Sequence, residues 1–183
     1  MKKVLVHLAE GFEEIEAVTL IDVLRRAGLT VNTISISDKY AVRGAHSIEI
    51  IADQLFEEAD YENGDMIILP GGMPGAKNLN EHQRLRSQIM NYHNQGKYLA
   101  AICAAPLVFG NLGILKGKKA VCYPGFESSL TEALITSDAV QMDGLIITGR
   151  GVGAALEFAL KIVHCLVGEE TALKLSKAML VNE

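Results

Sequence analysis

The sequence predicts an α/β fold with a mostly parallel central sheet and helices on both faces. Two observations lead to this prediction. Short, mainly apolar stretches such as residues 4–8 and 65–69 resemble strands that are covered on both faces of a sheet. Longer segments with helical periodicity lie between such stretches, and this alternation is the spacing of βαβ units.

Each element follows from a local pattern. Ile15 and Val18 are the first apolar positions of a helix that Gly28 is placed to end. The Asp143-Gly144 pair is the best hairpin signal in the chain and predicts two strands within residues 139–148. The other predicted strands cover residues 30–37, 48–51, 97–102 and 119–124. The other predicted helices cover residues 81–95, the segment from Pro106, and residues 157–166 and 169–178.

Size and composition limit the class of protein. A chain of 183 residues fits one domain, here residues 1–183, because domains typically hold roughly 100–200 residues. The net charge of −5 argues against general nucleic-acid binding, which needs a basic surface. The apolar stretches are shorter than the ~20 residues of a membrane span. Three cysteines without disulfide or zinc-site spacing predict a reduced, cytoplasmic setting.

Cys103 is the first candidate functional residue, because it lies where a buried strand stops and a helix begins. Ala101 and Ala105 flank it with the small-x-nucleophile-x-small spacing of a nucleophile elbow, and Pro106 suits the first turn of the next helix. The positive end of that helix would stabilise a thiolate, which is the reactive form of cysteine. The alternative is an inert, buried cysteine.

Glu16 is the predicted partner of the thiol. It lies near the start of the first helix, beside its apolar side, so a half-buried carboxyl is expected to donate a hydrogen bond to the sulfur or to act as an acid–base group. Gly71 and Gly72 follow another buried strand, and their loop is either a plain turn or a source of backbone N–H groups facing the cysteine. With the N–H of Ala104, these would form an oxyanion hole.

The remaining titratable residues indicate no catalytic base. Glu13 and Glu14 are interpreted as acids that complement the N-terminus of a helix. No histidine is marked as a base by its local sequence. His7 is expected in the core, and His82 and His93 are expected to be solvated. Cys122 and Cys165 are interpreted as small core residues.

Four motifs in order resemble the DJ-1/ThiJ/PfpI superfamily over nearly the full length, and within it the small DJ-1-like and ThiJ-like branch. The motifs are Gly11-Phe12-Glu13-Glu14-Ile15-Glu16, Leu69-Pro70-Gly71-Gly72 with Gly75-Ala76-Lys77-Asn78-Leu79, Ala100-Ala101-Ile102-Cys103-Ala104-Ala105-Pro106, and the segment from Asp143 to Gly153 that leads to Glu157-Phe158-Ala159-Leu160.

The resemblance implies a flavodoxin-like three-layer sandwich and a homodimer. It implies that Cys103 is an oxidation-sensitive elbow cysteine, that Glu16 is the carboxyl hydrogen-bonded to it, and that Gly72 and Ala104 are backbone donors. Arg150 matches an arginine near the dimer contact. Activities of relatives include cofactor-free glyoxalase chemistry, deglycation, chaperoning and redox sensing.

Two features depart from the pattern of relatives. Tyr123 precedes Pro124 where many DJ-1-type members have histidine, so tyrosine could bind a substrate oxygen but is a poor base at neutral pH. Ala104 follows Cys103 where protease-like relatives have histidine, which argues against a peptidase or an amidotransferase.

The resulting hypothesis is an enzyme for small carbonyl substrates, with Cys103 as nucleophile and Glu16 as proton relay, and with no metal or cofactor. Tyr123, Gly71 and Arg150 are possible substrate-binding or supporting residues. The alternative is a non-enzymatic oxidative-stress sensor or chaperone in which Cys103 is a redox switch.

Overall fold

A computed structural model describes residues 1–181 of the chain. Within this range the main sheet has seven strands in the order β10-β11-β7-β6-β1-β2-β5. The strands in chain order are β1 (Lys3–Leu8), β2 (Thr30–Ser35), β3 (Ala41–Arg43), β4 (Glu49–Ile51), β5 (Gln54–Leu55), β6 (Met66–Leu69), β7 (Tyr98–Ile102), β8 (Lys119–Ala120), β9 (Leu134–Ile135), β10 (Val140–Asp143) and β11 (Ile146–Gly149).

Helices follow β1, β6, β7 and β11, as the alternating pattern predicts, whereas β3, β5 and β9 lie outside the predicted strands. The helices are α1 (Glu14–Arg26), α2 (Gly75–Glu81), α3 (Gln83–Asn94), α4 (Pro106–Asn111), α5 (Ala155–Leu166) and α6 (Glu169–Ala178), with short 3-10 turns at Phe56–Glu58, Glu127–Ser129 and Val152–Ala154. The predicted α6 has the observed bounds. The predicted helix at 81–95 is preceded by a separate helix, α2, which the sequence pattern did not indicate.

Parallel pairing dominates the main sheet, which confirms the predicted fold class. β10 alone pairs antiparallel, with β11, through the predicted Asp143-Gly144 turn. The crossover from β1 to β2 and the crossover from β6 to β7 run in opposite directions along the sheet. Because such crossovers are right-handed, α1 lies on one face, where it packs against α5, and α2 and α3 lie on the other.

The core fills both sides of the central strands. All four residues of β6 are fully buried. The five residues of β1 from Val4 to Leu8, which include His7, are fully buried as well. The predicted strand at 119–124 is reduced to β8, because Val121 donates its backbone N–H to the Thr148 hydroxyl instead of continuing a ladder.

In the described part of the chain, no helix combines the length and the apolar character that crossing a bilayer requires.

One prediction about α1 is wrong in detail. Helical periodicity predicts that the apolar residues Ile15 and Val18 face the core, but they are 56% and 50% exposed. The buried side of the first turn carries Glu14 and Glu16 instead. The helix therefore turns two carboxyls inward and leaves an apolar strip on the surface.

Candidate active site

The elbow at Cys103 has the predicted geometry. Cys103 directly follows β7 and has φ +63°, a left-handed conformation that costs a non-glycine residue about 1–2 kcal/mol. Two backbone hydrogen bonds hold it there: its N–H donates to Gly149 O at 2.9 Å, and its carbonyl accepts the N–H of Tyr123 at 2.8 Å. The strand-turn-helix prediction is confirmed, with α4 beginning at Pro106.

Glu16 faces the elbow from α1. Its side chain is fully buried. Oε2 accepts the backbone N–H of Gly71 at 2.8 Å, while Oε1 has no hydrogen-bond partner among residues 1–181. Burial raises the pKa of this carboxyl to about 7, although the Gly71 N–H and the Cys103 thiol favour the charged form. A carboxyl with a pKa near neutrality can both accept and donate a proton.

The thiol of Cys103 differs from the prediction. Burial, followed by the negative charge of Glu16, raises its pKa to about 12, and the N–H groups of Gly72 and Ala104 only partly offset this. The expected stabilised thiolate is therefore wrong for the resting site. The physical reason is depth: Cys103 is 9% exposed, and the helix behind it has six residues, so desolvation outweighs the helix end.

The loop after β6 needs glycine at two positions to make this site. A Cβ on Gly71 would lie 2.5 Å from Cys103 Cβ and 2.8 Å from Glu16 Oε2. Gly72 has φ +87°, and a Cβ there would collide with the Glu13 backbone N. Because Gly71 and Gly72 have no side chain, the loop can bring its N–H groups close to the sulfur of Cys103 and to the carboxyl of Glu16. The backbone N–H groups of Gly72 and Ala104 lower the pKa of the thiol, in opposition to burial.

The acids before Glu16 are not simple helix-end charges. Glu14 is 4% exposed, and its Oε1 accepts the backbone N–H groups of His46 and Ile48. Its Oε2 lies 2.9 Å from His46 Nδ1, and Glu13 Oε2 lies 3.7 Å from the same nitrogen. Glu13, Glu14 and His46 are the one group in the described range with the donors and spacing to hold a metal ion, but an ion pair with His46 already accounts for their arrangement.

The histidines do not supply a base for the thiol. No histidine is hydrogen-bonded to Cys103 in the described range. His7 is fully buried, as predicted, and its Nε2 lies 2.9 Å from the Tyr61 hydroxyl. His82 is not simply solvated: its Nδ1 accepts the N–H of Leu85 at the start of α3, and burial lowers its pKa.

The other predicted residues lie around the elbow. Tyr123 is half-exposed, and Arg150 is exposed just after β11. Both line the same surface cleft. Cys122 is buried as predicted, whereas Cys165 is only partly buried and contacts Met142 through sulfur at 3.5 Å.

Comparison with known proteins decides the family. The model of the DJ-1/PfpI family matches residues 2–165. The chain belongs to the DJ-1/PfpI family. The structure of oxidized DJ-1 from Toxoplasma gondii is 38% identical, covers 100% of both chains and superimposes with a TM-score of 0.95. This likeness confirms the predicted DJ-1 fold.

Among curated members of the DJ-1/PfpI family, protein DJ-1 homolog B from Arabidopsis thaliana is 40% identical over 99% of this chain and 42% of its own length. The chain thus spans less than half the length of the two Arabidopsis homologues that it matches. A Caenorhabditis elegans protein named as a glutathione-independent glyoxalase is 34% identical over 93% of this chain and 91% of its own length. The family therefore includes glyoxalase-type enzymes.

Proposed function

We propose that the protein is a cofactor-free, cysteine-dependent enzyme of the glyoxalase or deglycase type, acting on small α-oxoaldehydes or their adducts. The observation that carries the proposal is the closeness of Cys103 to Glu16: a Cβ on Gly71 would lie 2.5 Å from Cys103 Cβ and 2.8 Å from Glu16 Oε2. The raised pKa of Glu16, at about 7, adds to it. The similarity to the C. elegans glyoxalase supports it. Such a pair can supply both the nucleophile and the proton relay that this isomerisation requires.

The first step forms a hemithioacetal. Ionised Glu16 takes the thiol proton as the sulfur of Cys103 bonds to the aldehyde carbon, C1. The backbone N–H groups of Gly72 and Ala104 stabilise the oxyanion on C1. Protonated Glu16 then returns the proton to that oxygen. Because the thiol ionises only as the bond to carbon forms, a raised pKa in the resting site is compatible with the step.

The second step moves hydrogen from C1 to C2. Ionised Glu16 removes the proton on C1, and the electron pair forms an enediolate with the neighbouring carbonyl. A proton shifts from the C1 oxygen to the C2 oxygen, and Glu16 delivers its proton to C2. The product is a 2-hydroxy thioester on Cys103. Water hydrolyses it, which releases the 2-hydroxy acid and regenerates the thiol, so methylglyoxal and water give lactate.

The test is turnover of methylglyoxal in D₂O, followed by NMR. Wild-type protein is expected to form lactate with deuterium at C2, because the relayed proton exchanges with solvent on Glu16. Cys103→Ser and Glu16→Gln are expected to lose this activity, and Cys165→Ser is the matched control for cysteine loss. Absence of lactate, or loss of activity in the control alone, would reject the proposal.

A redox role for Cys103 is the second candidate. The two N–H groups that face the sulfur would also bind the oxygens of an oxidised cysteine. Peroxide would convert the thiol to sulfenic and then sulfinic acid, releasing one water at each step. If peroxide oxidises Cys103 selectively, as judged by mass spectrometry, and no lactate forms, the sensor role is favoured. A peptidase or amidotransferase role is not favoured, because no described histidine is hydrogen-bonded to the thiol.

We also propose that two copies of the chain associate through α1. Ile15 and Val18 are exposed on this helix, and Ile48 and Ile51 are exposed on the adjoining β3–β4 hairpin. Glu14 joins the two elements by accepting the N–H of Ile48. Sedimentation is expected to give a dimer for wild type and a monomer for Val18→Asp. A wild-type monomer at micromolar concentration would reject this assembly.

A further inference from the structure

A cleft of about 640 Å³ lies beside residues that are hydrogen-bonded to the Cys103 backbone, although Cys103 itself is not part of its lining. We name it the Tyr123–Arg150 cleft; its lining includes Tyr123, Ser137, Arg150 and Val152. This volume is within the range of about 300–1,000 Å³ that small-molecule sites occupy. It leaves room for a substrate with a longer chain than methylglyoxal.

Backbone hydrogen bonds connect two walls of the cleft to Cys103. Tyr123 donates its N–H to the carbonyl of Cys103. On the other wall, Gly149, directly before Arg150, accepts the N–H of Cys103. The ring of Tyr123 lies against Gly151, where an added Cβ would come within 3.1 Å of the ring. The walls are therefore fixed with respect to the elbow.

Arg150 supplies a positive charge to the cleft. Its backbone N–H donates to Ala139 O at 2.9 Å, which fixes the start of the side chain. Its guanidinium forms no ion pair with any carboxylate among residues 1–181, and its contact with Ser137 O is long, at 3.4 Å. The Tyr123 hydroxyl also has no hydrogen-bond partner in that range. An arginine without a carboxylate partner, in a chain with a net charge of −5, suits a bidentate contact with an anion.

We propose that the Tyr123–Arg150 cleft selects α-oxoaldehydes whose far end carries a carboxylate. Arg150 binds that carboxylate while the aldehyde reaches Cys103. This inference rests on the function proposed above and names a substrate class for it. Arg150 is then a specificity-determining residue and takes no part in the bond changes.

The test compares 4,5-dioxopentanoate, which carries a terminal carboxylate, with its neutral methyl ester. Wild-type protein is expected to favour the acid by roughly ten- to 100-fold in kcat/KM, the range for a hydrogen-bonded contact with a charged group. In Arg150→Gln this preference is expected to fall to about one, mainly through KM for the acid. Lys174→Gln removes the same charge from an exposed position on α6 and is expected to keep the preference.

Two further measurements separate the possible failures. Thermal unfolding of Arg150→Gln checks that the variant is folded, and Arg150→Lys, which retains the charge, is expected to restore part of the preference. Binding of 2-hydroxypentanedioate, the product expected from the acid, to the Cys103→Ala protein tests the cleft without turnover.

Binding that depends on Arg150, without turnover of any aldehyde, would reject the proposed function and retain the carboxylate site. Turnover of methylglyoxal with equal kcat/KM for acid and ester would overturn the inference alone. Absence of both turnover and binding would overturn both.

Discussion

Two buried carboxyls on the same helix turn behave in opposite ways. Glu14 and Glu16 are both almost inaccessible to solvent, and burial alone would raise the pKa of each. At Glu14, hydrogen bonds from the His46 ring and from backbone N–H groups outweigh burial and lower the pKa. At Glu16, one backbone donor and the thiol leave the pKa at about 7. The hydrogen-bond donors around a buried acid therefore decide in which direction its pKa shifts.

The largest expected effect is on turnover. Glu16→Gln is expected to reduce kcat/KM for methylglyoxal by about 10²–10⁴-fold, the usual contribution of an acid–base group, whereas Glu14→Gln should change it far less per folded molecule. Wild-type kcat/KM should rise with pH through about 7 as Glu16 ionises. If both variants lose kcat/KM to the same extent, once the fraction of folded protein is taken into account, the two acids do not differ in function.

The second effect is on the pH dependence of stability. The pKa of Glu16 is about 7 in the folded protein and near 4.5 in the unfolded chain, so between these values the folded state keeps a proton that the unfolded state loses. The free energy of unfolding should therefore fall as pH rises from 5 to 8, by up to about 3 kcal/mol. Denaturant titrations of the wild type and of Glu16→Gln at several pH values measure this difference. If the free energy of unfolding changes with pH in the same way for both proteins, the raised pKa of Glu16 is contradicted.

The third effect concerns Glu14 as a structural acid. Its carboxylate accepts backbone N–H groups at His46 and Ile48 that a glutamine cannot satisfy equally well. Glu14→Gln should lower the free energy of unfolding by about 1–3 kcal/mol, the cost of weakening buried hydrogen bonds to a charged group. Its lowered pKa adds stability that is present above about pH 4.5 and is lost as pH falls through the folded value. Chemical denaturation at pH 7 and pH 4 tests both statements, and a wild-type stability for the variant would refute them.

The smallest expected effect is on stability. It comes from the backbone strain at Cys103, the elbow residue that Glu16 faces. Cys103 has φ +63°, a region that glycine adopts without penalty. Cys103→Gly should be more stable than Cys103→Ala by about 1 kcal/mol, although both lack the sulfur. If the two variants unfold at the same denaturant concentration, the left-handed conformation stores no measurable energy.

Much of the fold was predictable because the central strands carried their own local signals, whereas the short strands β3, β5 and β9 carried none that the sequence pattern showed. The apolar runs of β1, β6 and β7 and the Asp143-Gly144 turn predicted strands that all lie in the main sheet. The elbow at Cys103 was predictable from the small residues on either side of it. These features depend on neighbours in sequence, so local patterns are sufficient to find them.

The burial of the α1 side chains and the pKa of the Cys103 thiol depend on residues that are distant in sequence. Helical periodicity assigns apolar residues to the core, but the donors that hold Glu14 and Glu16 inward come from residues 46–48 and 71. Nothing near Ile15 and Val18 in sequence shows that they would be left on the surface. The raised pKa of Cys103 likewise follows from its depth in the fold, which the local sequence does not specify.

The proposed chemistry draws on three segments that are far apart along the chain. The carboxyl comes from residue 16, the first amide from residues 71–72, and the sulfur with the second amide from residues 103–104, brought together by the adjacent strands β1, β6 and β7. A partly folded chain that lacked any one of these strand pairings would contain an ordinary cysteine and an ordinary glutamate. Catalysis should therefore vanish in the same cooperative transition as the sheet, with no active intermediate between the native and the denatured protein.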